Sequence, residues 1–187
     1  MCGMVEKKQA IFDSALELIN ECGFHGTSMS QLAKHAGVAA GTIYHYFESK
    51  EAMICALHTD IVDKLLESLT TSDDKNLSFK ERFGKRWKCI YQFHIDRPHV
   101  LRFYEQFVNS PFYFNYPKRK EIQLYFSAFF QEGISQGIII DKNPELISGL
   151  FFGSVISALK MKFYRKVDID GSDLNDIIDM QWKGMII

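Results

Sequence analysis

Thr42, Tyr44, His45 and Tyr46 stand within one short stretch, AGVAAGTIYHYFESKE (residues 36–51), which also holds Ser49 and Lys50. Hydroxyls, an imidazole and an ammonium at this spacing recognise a partner by hydrogen bonds and charge; they do not assemble a nucleophile with its base. Ile43 and Phe47, four residues apart, share one face of a helix and point inward above Val38. Gly41, Thr42 and His45 lie opposite, flanked by Ala40, Tyr44 and Tyr46. A helix that only fills a core needs one apolar face, and this one carries a polar face with small residues at its start. Such a helix suits the major groove of DNA: small residues admit base edges, while Tyr44, Tyr46 and Lys50 reach phosphates. The plainer alternative is that the Tyr-His-Tyr cluster is partly buried packing.

Other chemistries lack their residues. There is no phosphate-cradling glycine loop, no HExxH and no paired Cys/His set. His35, His58, His94 and His99 have no partner at ligand or catalytic spacing, and read as surface or core histidines. Cys2, Cys22, Cys55 and Cys89 contain no CxxC, so reduced thiols are expected, with neither a disulfide framework nor a metal site. The expectation is a protein that is not an enzyme and needs no cofactor.

The chain of 187 residues is 47% hydrophobic and 24% charged, an ordinary balance for a protein with a substantial core. Its formal charge of −1 gives no overall basic field, which argues against strong non-specific DNA binding and leaves a local site open. Residues 1–50 hold four lysines against five acidic groups, so few phosphate contacts and a shallow salt dependence are expected. The start, MCGMVEKKQA, has no signal-peptide apolar region. The longest uncharged apolar run, LISGLFFGSVISAL (146–159), is too short to span a bilayer and reads as a buried helix. A cytoplasmic protein without a membrane partner is expected.

Helical periodicity dominates the chain. Ile11, Ala15, Leu18, Ile19 and Cys22 make an amphipathic first helix over 5–22, stopped by Gly23. Ser28 with Gln31 forms a capping box that opens a second helix through Ala36. Gly37 breaks it, and a third helix runs from about Ala40 to Phe47. Ser49 caps a long fourth helix, the polar run TTSDDKN (70–76) connects, and Ser78 with Glu81 opens a fifth through Ile95. Further helices are expected at 98–108, 118–136, 143–164 and 172–184, the penultimate one started by Asn143 and Pro144. Only Ile138-Ile139-Ile140 is ambiguous between helix and strand. The fold class is all-α with about nine helices: an N-terminal helix-turn-helix domain over 1–50, with its two short helices at about 28–47, and a larger helical body over 51–187.

The string GFHGTSMSQLAKHAGVAAGTIYHYFESKEAM resembles the N-terminal domain of the tetracycline-repressor (TetR) family of bacterial transcriptional regulators, continuously over about residues 11–53. The resemblance implies DNA contacts at Ser28, Met29 (through its backbone) and Ser30, then at Ala39, Ala40, Gly41, Thr42, Tyr44, His45, Tyr46 and Lys50. Members often carry Ser or Thr and then a polar or basic residue where this chain has Ala39 and Ala40. A missing N-cap side chain costs about 1 kcal/mol of helix stability, and two methyl groups cannot donate to guanine, although they can touch thymine methyls. Base reading is therefore expected to rest more on Thr42 and His45.

The body is rich in rings: 15 of the 26 aromatic residues fall between Phe83 and Phe130. Such density suits either an apolar ligand cavity or a packed core. The resemblance favours a pocket for a small effector of unknown identity, apolar or aromatic, whose entry releases the DNA. Its expected lining is Trp87, Tyr91, His94, Phe103, Gln106, Phe107, Tyr125 and Phe129. The small-residue stripe Gly149, Gly153, Ser157, beside Phe152 and Ile156 and with Ile178 and Trp182 of the last helix, resembles the family's dimer interface; a purely internal core is the alternative. The resulting expectation is a homodimer on a palindromic double-stranded operator, a ligand-released repressor. A nucleoid-associated or protein-interaction regulator with the same DNA head is the other reading.

Overall fold

The computed structural model describes residues 2–116 and 120–187. Among these, ten helices form: α1 (Cys2–Gly26), α2 (Met29–His35), α3 (Ala40–Tyr46), α4 (Lys50–Ser72), α5 (Phe79–Ile95), α6 (Pro98–Val108), α7 (Pro111–Asn115), α8 (Glu121–Ser135), α9 (Pro144–Phe163) and α10 (Gly171–Lys183). The expected start, at Lys118, of the helix that forms as α8 lies outside the described residues. No strand forms among them; the ambiguous isoleucine run contributes one isolated bridge, Ile139 with Ile186.

Local signals explain most helix starts. Ser28 accepts from the Gln31 N–H at 3.2 Å while the Gln31 side chain accepts from the Ser28 N–H at 2.9 Å. Ser78 and Glu81 repeat this reciprocal cap at 3.3 and 2.9 Å. At α10 Asp170 accepts from the N–H groups of Ser172 and Asp173 at 2.7 and 3.0 Å. Each cap satisfies N–H groups that have no partner within the helix. Gly37, at φ 66, supplies the left-handed turn between α2 and α3.

Two compact units emerge. One takes in the chain up to Ile61 and resumes at Arg97, adding α6 and α7; the other holds Val62 to Asp96 and the helices after residue 120. Along the chain the two units alternate, each drawn from two segments. The physical reason is visible in the first unit. α2 and α3, seven residues each, offer little apolar surface, and α6 adds to it with Phe103 and Phe107, which join Ile11, Phe12, Ile19, Phe24, Leu32, Ile43 and Leu57 in one core. In the second unit α8 and α5 pack on α9, and α10 packs on α5. Its interior is a run of rings: Phe83 meets Phe151 at 5.0 Å, and Phe126 meets Phe151 at 5.2 Å. By length and composition α9 could cross a membrane, but here Ile147, Phe151, Val155, Ala158 and Leu159 are buried within this unit.

Candidate nucleic-acid interface and aromatic interior

α3 is held by its inward face. Ile43 is fully buried, and Phe47, at the C-cap, lies 5.7 Å from the Phe12 ring of α1. The opposite face is open: Ala39, Ala40, Gly41, Tyr44 and His45 are exposed, with Tyr44 at 58%. Thr42, Tyr46 and Lys50 are half-buried, so their polar ends sit at the edge of this surface. The His45 and Tyr46 rings meet edge to face at 5.8 Å, which orders both. Ala39 gives α3 no side-chain cap. At α2, Ser28 and Ser30 are exposed while the Met29 side chain is buried, leaving Met29 its backbone to offer. His35 lies 3.6 Å from Glu17 and ties α2 to α1. The eleven residues named for DNA contact thus occupy α2, α3 and their flanks within one unit.

The eight residues named for an effector pocket divide between the units. Phe103, Gln106 and Phe107 belong to the first. Both phenylalanines are buried core, stacked on each other at 5.9 Å. Gln106 is engaged with α1: its Oε1 accepts from the Phe24 N–H and its Nε2 donates to the Ile19 carbonyl. In the same core His58 stacks on Phe107 at 4.1 Å, is 6% exposed, and has no partner for Nδ1 among the described residues. Burial lowers its pKa to about 4.

Trp87, Tyr91, His94, Tyr125 and Phe129 belong to the second unit. Trp87 is fully buried, donates to Ser154 Oγ at 2.8 Å and stacks on Tyr91 at 5.5 Å. The Tyr91 hydroxyl is buried without a partner among the described residues, and burial pushes its pKa up. His94 is buried with Nδ1 2.8 Å from the Ile90 carbonyl; burial lowers its pKa against the opposing pull of that bond. Tyr125 and Phe129 face a cleft of about 500 Å³ whose rim is charged. Arg86, 5% exposed, lies 4.0 Å over the Phe129 ring and 2.9 Å from Asp73. Arg82 bonds both Asp73 and Glu132. Burial pushes the Asp73 carboxyl up, yet the hydrogen bonds and charges of both arginines hold it below its ordinary value. This network was missed in the sequence, where Asp73 sits in a polar connector; two arginines four apart on an aromatic helix were the available signal.

On α9, Gly149, Gly153 and Ser157 are exposed, and a Cβ on either glycine would meet no atom within 4 Å. Phe152 and Ile156 are half-buried, with Phe152 against Phe126 at 4.7 Å. Ile178 and Trp182 are buried within the second unit: Trp182 packs on Phe83 at 5.6 Å and Phe79 at 6.2 Å. The apolar groups turned outward are Leu146, Leu150 and Met180, with Leu150 at 63% exposure.

Comparison with known proteins gives the following. Residues 11–57 match the model of bacterial regulatory proteins of the tetR family, and residues 78–186 match that of the tetracyclin repressor-like C-terminal domain. An uncharacterised HTH-type transcriptional regulator of Haemophilus influenzae is 23% identical over 95% of this chain and 94% of its own. The fatty acid metabolism regulator protein of Bacillus subtilis is 37% identical over 42% of this chain and 40% of its own. The crystal structure of the Bacillus subtilis regulator FadR with stearoyl-CoA shares the fold, at TM-score 0.83 and 22% identity over 94% of this chain and 98% of that one.

Proposed function

Because this chain belongs to the TetR family of transcriptional regulators, we propose that it is a cytoplasmic repressor that binds a palindromic operator as a homodimer and leaves it when a small apolar or aromatic effector binds. The observation that carries the DNA reading is the two-faced α3. Its inward residues are locked in a core, and its outward face has no packing role that explains Tyr44 and His45. One seven-residue helix touches too few base pairs for a specific site, and a twofold pair reads two half-sites about one helical turn apart. The exposed apolar stripe of α9 with Met180 supports the pairing.

The effector reading is supported by the ring-dense second unit, where the buried Tyr91 hydroxyl has no partner among the described residues. Ligand pockets are mostly apolar with few placed polar groups. The stearoyl-CoA held by the Bacillus subtilis regulator of the same fold makes a fatty-acyl compound the first class to try. Members of this family are generally not enzymes, and no catalytic set is proposed.

Fluorescence anisotropy of the protein with DNA fragments it selects from a random pool tests the reading, with salt and stearoyl-CoA titrated separately. Two protomers per site, a shallow salt dependence and weakening by the ligand are expected. A steep salt dependence without sequence preference would count against a specific operator, and binding indifferent to every apolar ligand would remove the effector half alone.

A further inference from the structure

A side chain from α6 bridges a break in α1. At Gly23 the backbone leaves helical geometry, at φ 72 and ψ 175, and α1 kinks. In an unbroken helix the Phe24 N–H would donate one turn back and the Ile19 carbonyl would accept from residue 23. The Gln106 amide takes up both groups, accepting from the Phe24 N–H at 3.0 Å and donating to the Ile19 carbonyl at 3.3 Å. Glycine fits the break because its φ is left-handed, and a Cβ there would also crowd Gln106 Oε1 at 3.2 Å. Beyond the break the bonding continues into the reading helices. Thr27, buried, donates from Oγ1 to the Gly23 carbonyl at 2.9 Å. The next residue, Ser28, caps α2.

We propose that Gln106 is a positioning residue for DNA binding, a splint that fixes the last turn of α1 and through Thr27 and Ser28 the placement of α2 and α3. It rests on the reading of α3 as the DNA-facing helix. An amide suits the break because its carbonyl and NH2, side by side at the end of one side chain, meet a backbone donor and a backbone acceptor at once. Without it the Phe24 N–H and the Ile19 carbonyl turn to water, the last turn of α1 is no longer fixed, and fewer molecules hold α2 and α3 in the binding geometry. Apparent affinity falls by that fraction.

The test uses the full chain and a labelled DNA fragment that the unmodified protein selects from a random pool. Gln106→Met keeps the length and loses both bonds; Gln106→Glu keeps the acceptor for Phe24; Phe103→Leu perturbs the same helix and core, including the ring contact with Phe24, without removing either amide bond. Gln106→Met is expected to bind about tenfold more weakly while folded, as when roughly one molecule in ten holds the binding geometry. Gln106→Glu falls between, and amide hydrogen exchange at Phe24 is fast in the Met variant and slower in the Glu variant. Phe103→Leu lowers the melting temperature but keeps its affinity below that temperature. Unchanged binding by Gln106→Met, or an equal loss in Phe103→Leu at matched melting temperature, would overturn the proposal. A failure of the unmodified protein to select any sequence would strike the α3 reading instead.

Discussion

The two units use their aromatic side chains in opposite ways. In the first, Tyr44, His45 and Tyr46 stand on or at the edge of an open helix face, held by Ile43 and Phe47 behind them. In the second, Phe83, Trp87, Phe126, Phe130 and Phe151 are almost wholly buried, and the polar groups among them are matched to partners such as Ser154 or left inside, as with the Tyr91 hydroxyl. A seven-residue helix has few side chains to bury, so its remaining residues are free to serve a partner. A twenty-residue helix such as α9 buries one side and still exposes Leu146 and Leu150 on another. Substitutions should therefore separate: those on α3 change what is bound, and those in the second unit change what stays folded.

The largest expected effect comes from the buried rings. Phe83→Ala removes a fully buried side chain that touches Phe130, Phe151 and Trp182. It is expected to cost about 3–5 kcal/mol in urea unfolding, and a loss below 1 kcal/mol would mean that the second unit is loosely packed.

Next is acid sensitivity in the first unit. His58 has a pKa near 4 in the folded protein against an ordinary 6.5. Above pH 6.5 the residue is neutral in both states and the shift costs nothing. As pH falls from 6.5 to 4, the unfolded chain takes up a proton that the folded chain refuses, and stability is lost by about 3 kcal/mol. The buried His94 of the second unit, its pKa also lowered, adds to the loss with the same sign. Unfolding curves across that range should show the decline, and His58→Phe, which keeps an aromatic ring against Phe107, should flatten it in part. An unaltered slope would contradict the burial of His58.

On the reading face the prediction inverts. Tyr44→Ala should leave the melting temperature unchanged and weaken operator binding by about 1–2 kcal/mol, the scale of one lost contact to DNA. Binding and melting falling together would blur the distinction between the units. The smallest effect expected is at the turn between α2 and α3. Gly37→Ala meets open space but forces a side chain to φ 66, costing about 1 kcal/mol through strain alone. A neutral outcome would show that this turn relaxes freely.

Elements governed by near neighbours were legible in the sequence. The caps at Ser28 and Ser78 reach only three residues along the chain, and the glycines at 23 and 37 mark breaks by their own backbone freedom. The surface of α3 was legible because Ile43 and Phe47 fix its orientation by periodicity. What was hidden depends on distant partners. α7 is five residues long, too short for a period to show. The Asp73–Arg82–Glu132 chain joins groups 9 and 50 residues apart. Trp182 and Met180 lie on one amphipathic helix, and nothing local says that the ring faces Phe83 while the thioether faces out. Gln106 read as a polar group for a ligand, because its partners on α1 are more than 80 residues away.

Selection of DNA fragments from a random pool by the purified protein, followed by footprinting of the winners, tests the central claim most directly. The account predicts an inverted repeat with half-sites about one helical turn apart or somewhat more, protected by two protomers and lost in Tyr44→Ala. Enrichment of no sequence, or of a single half-site bound by one protomer, would contradict it.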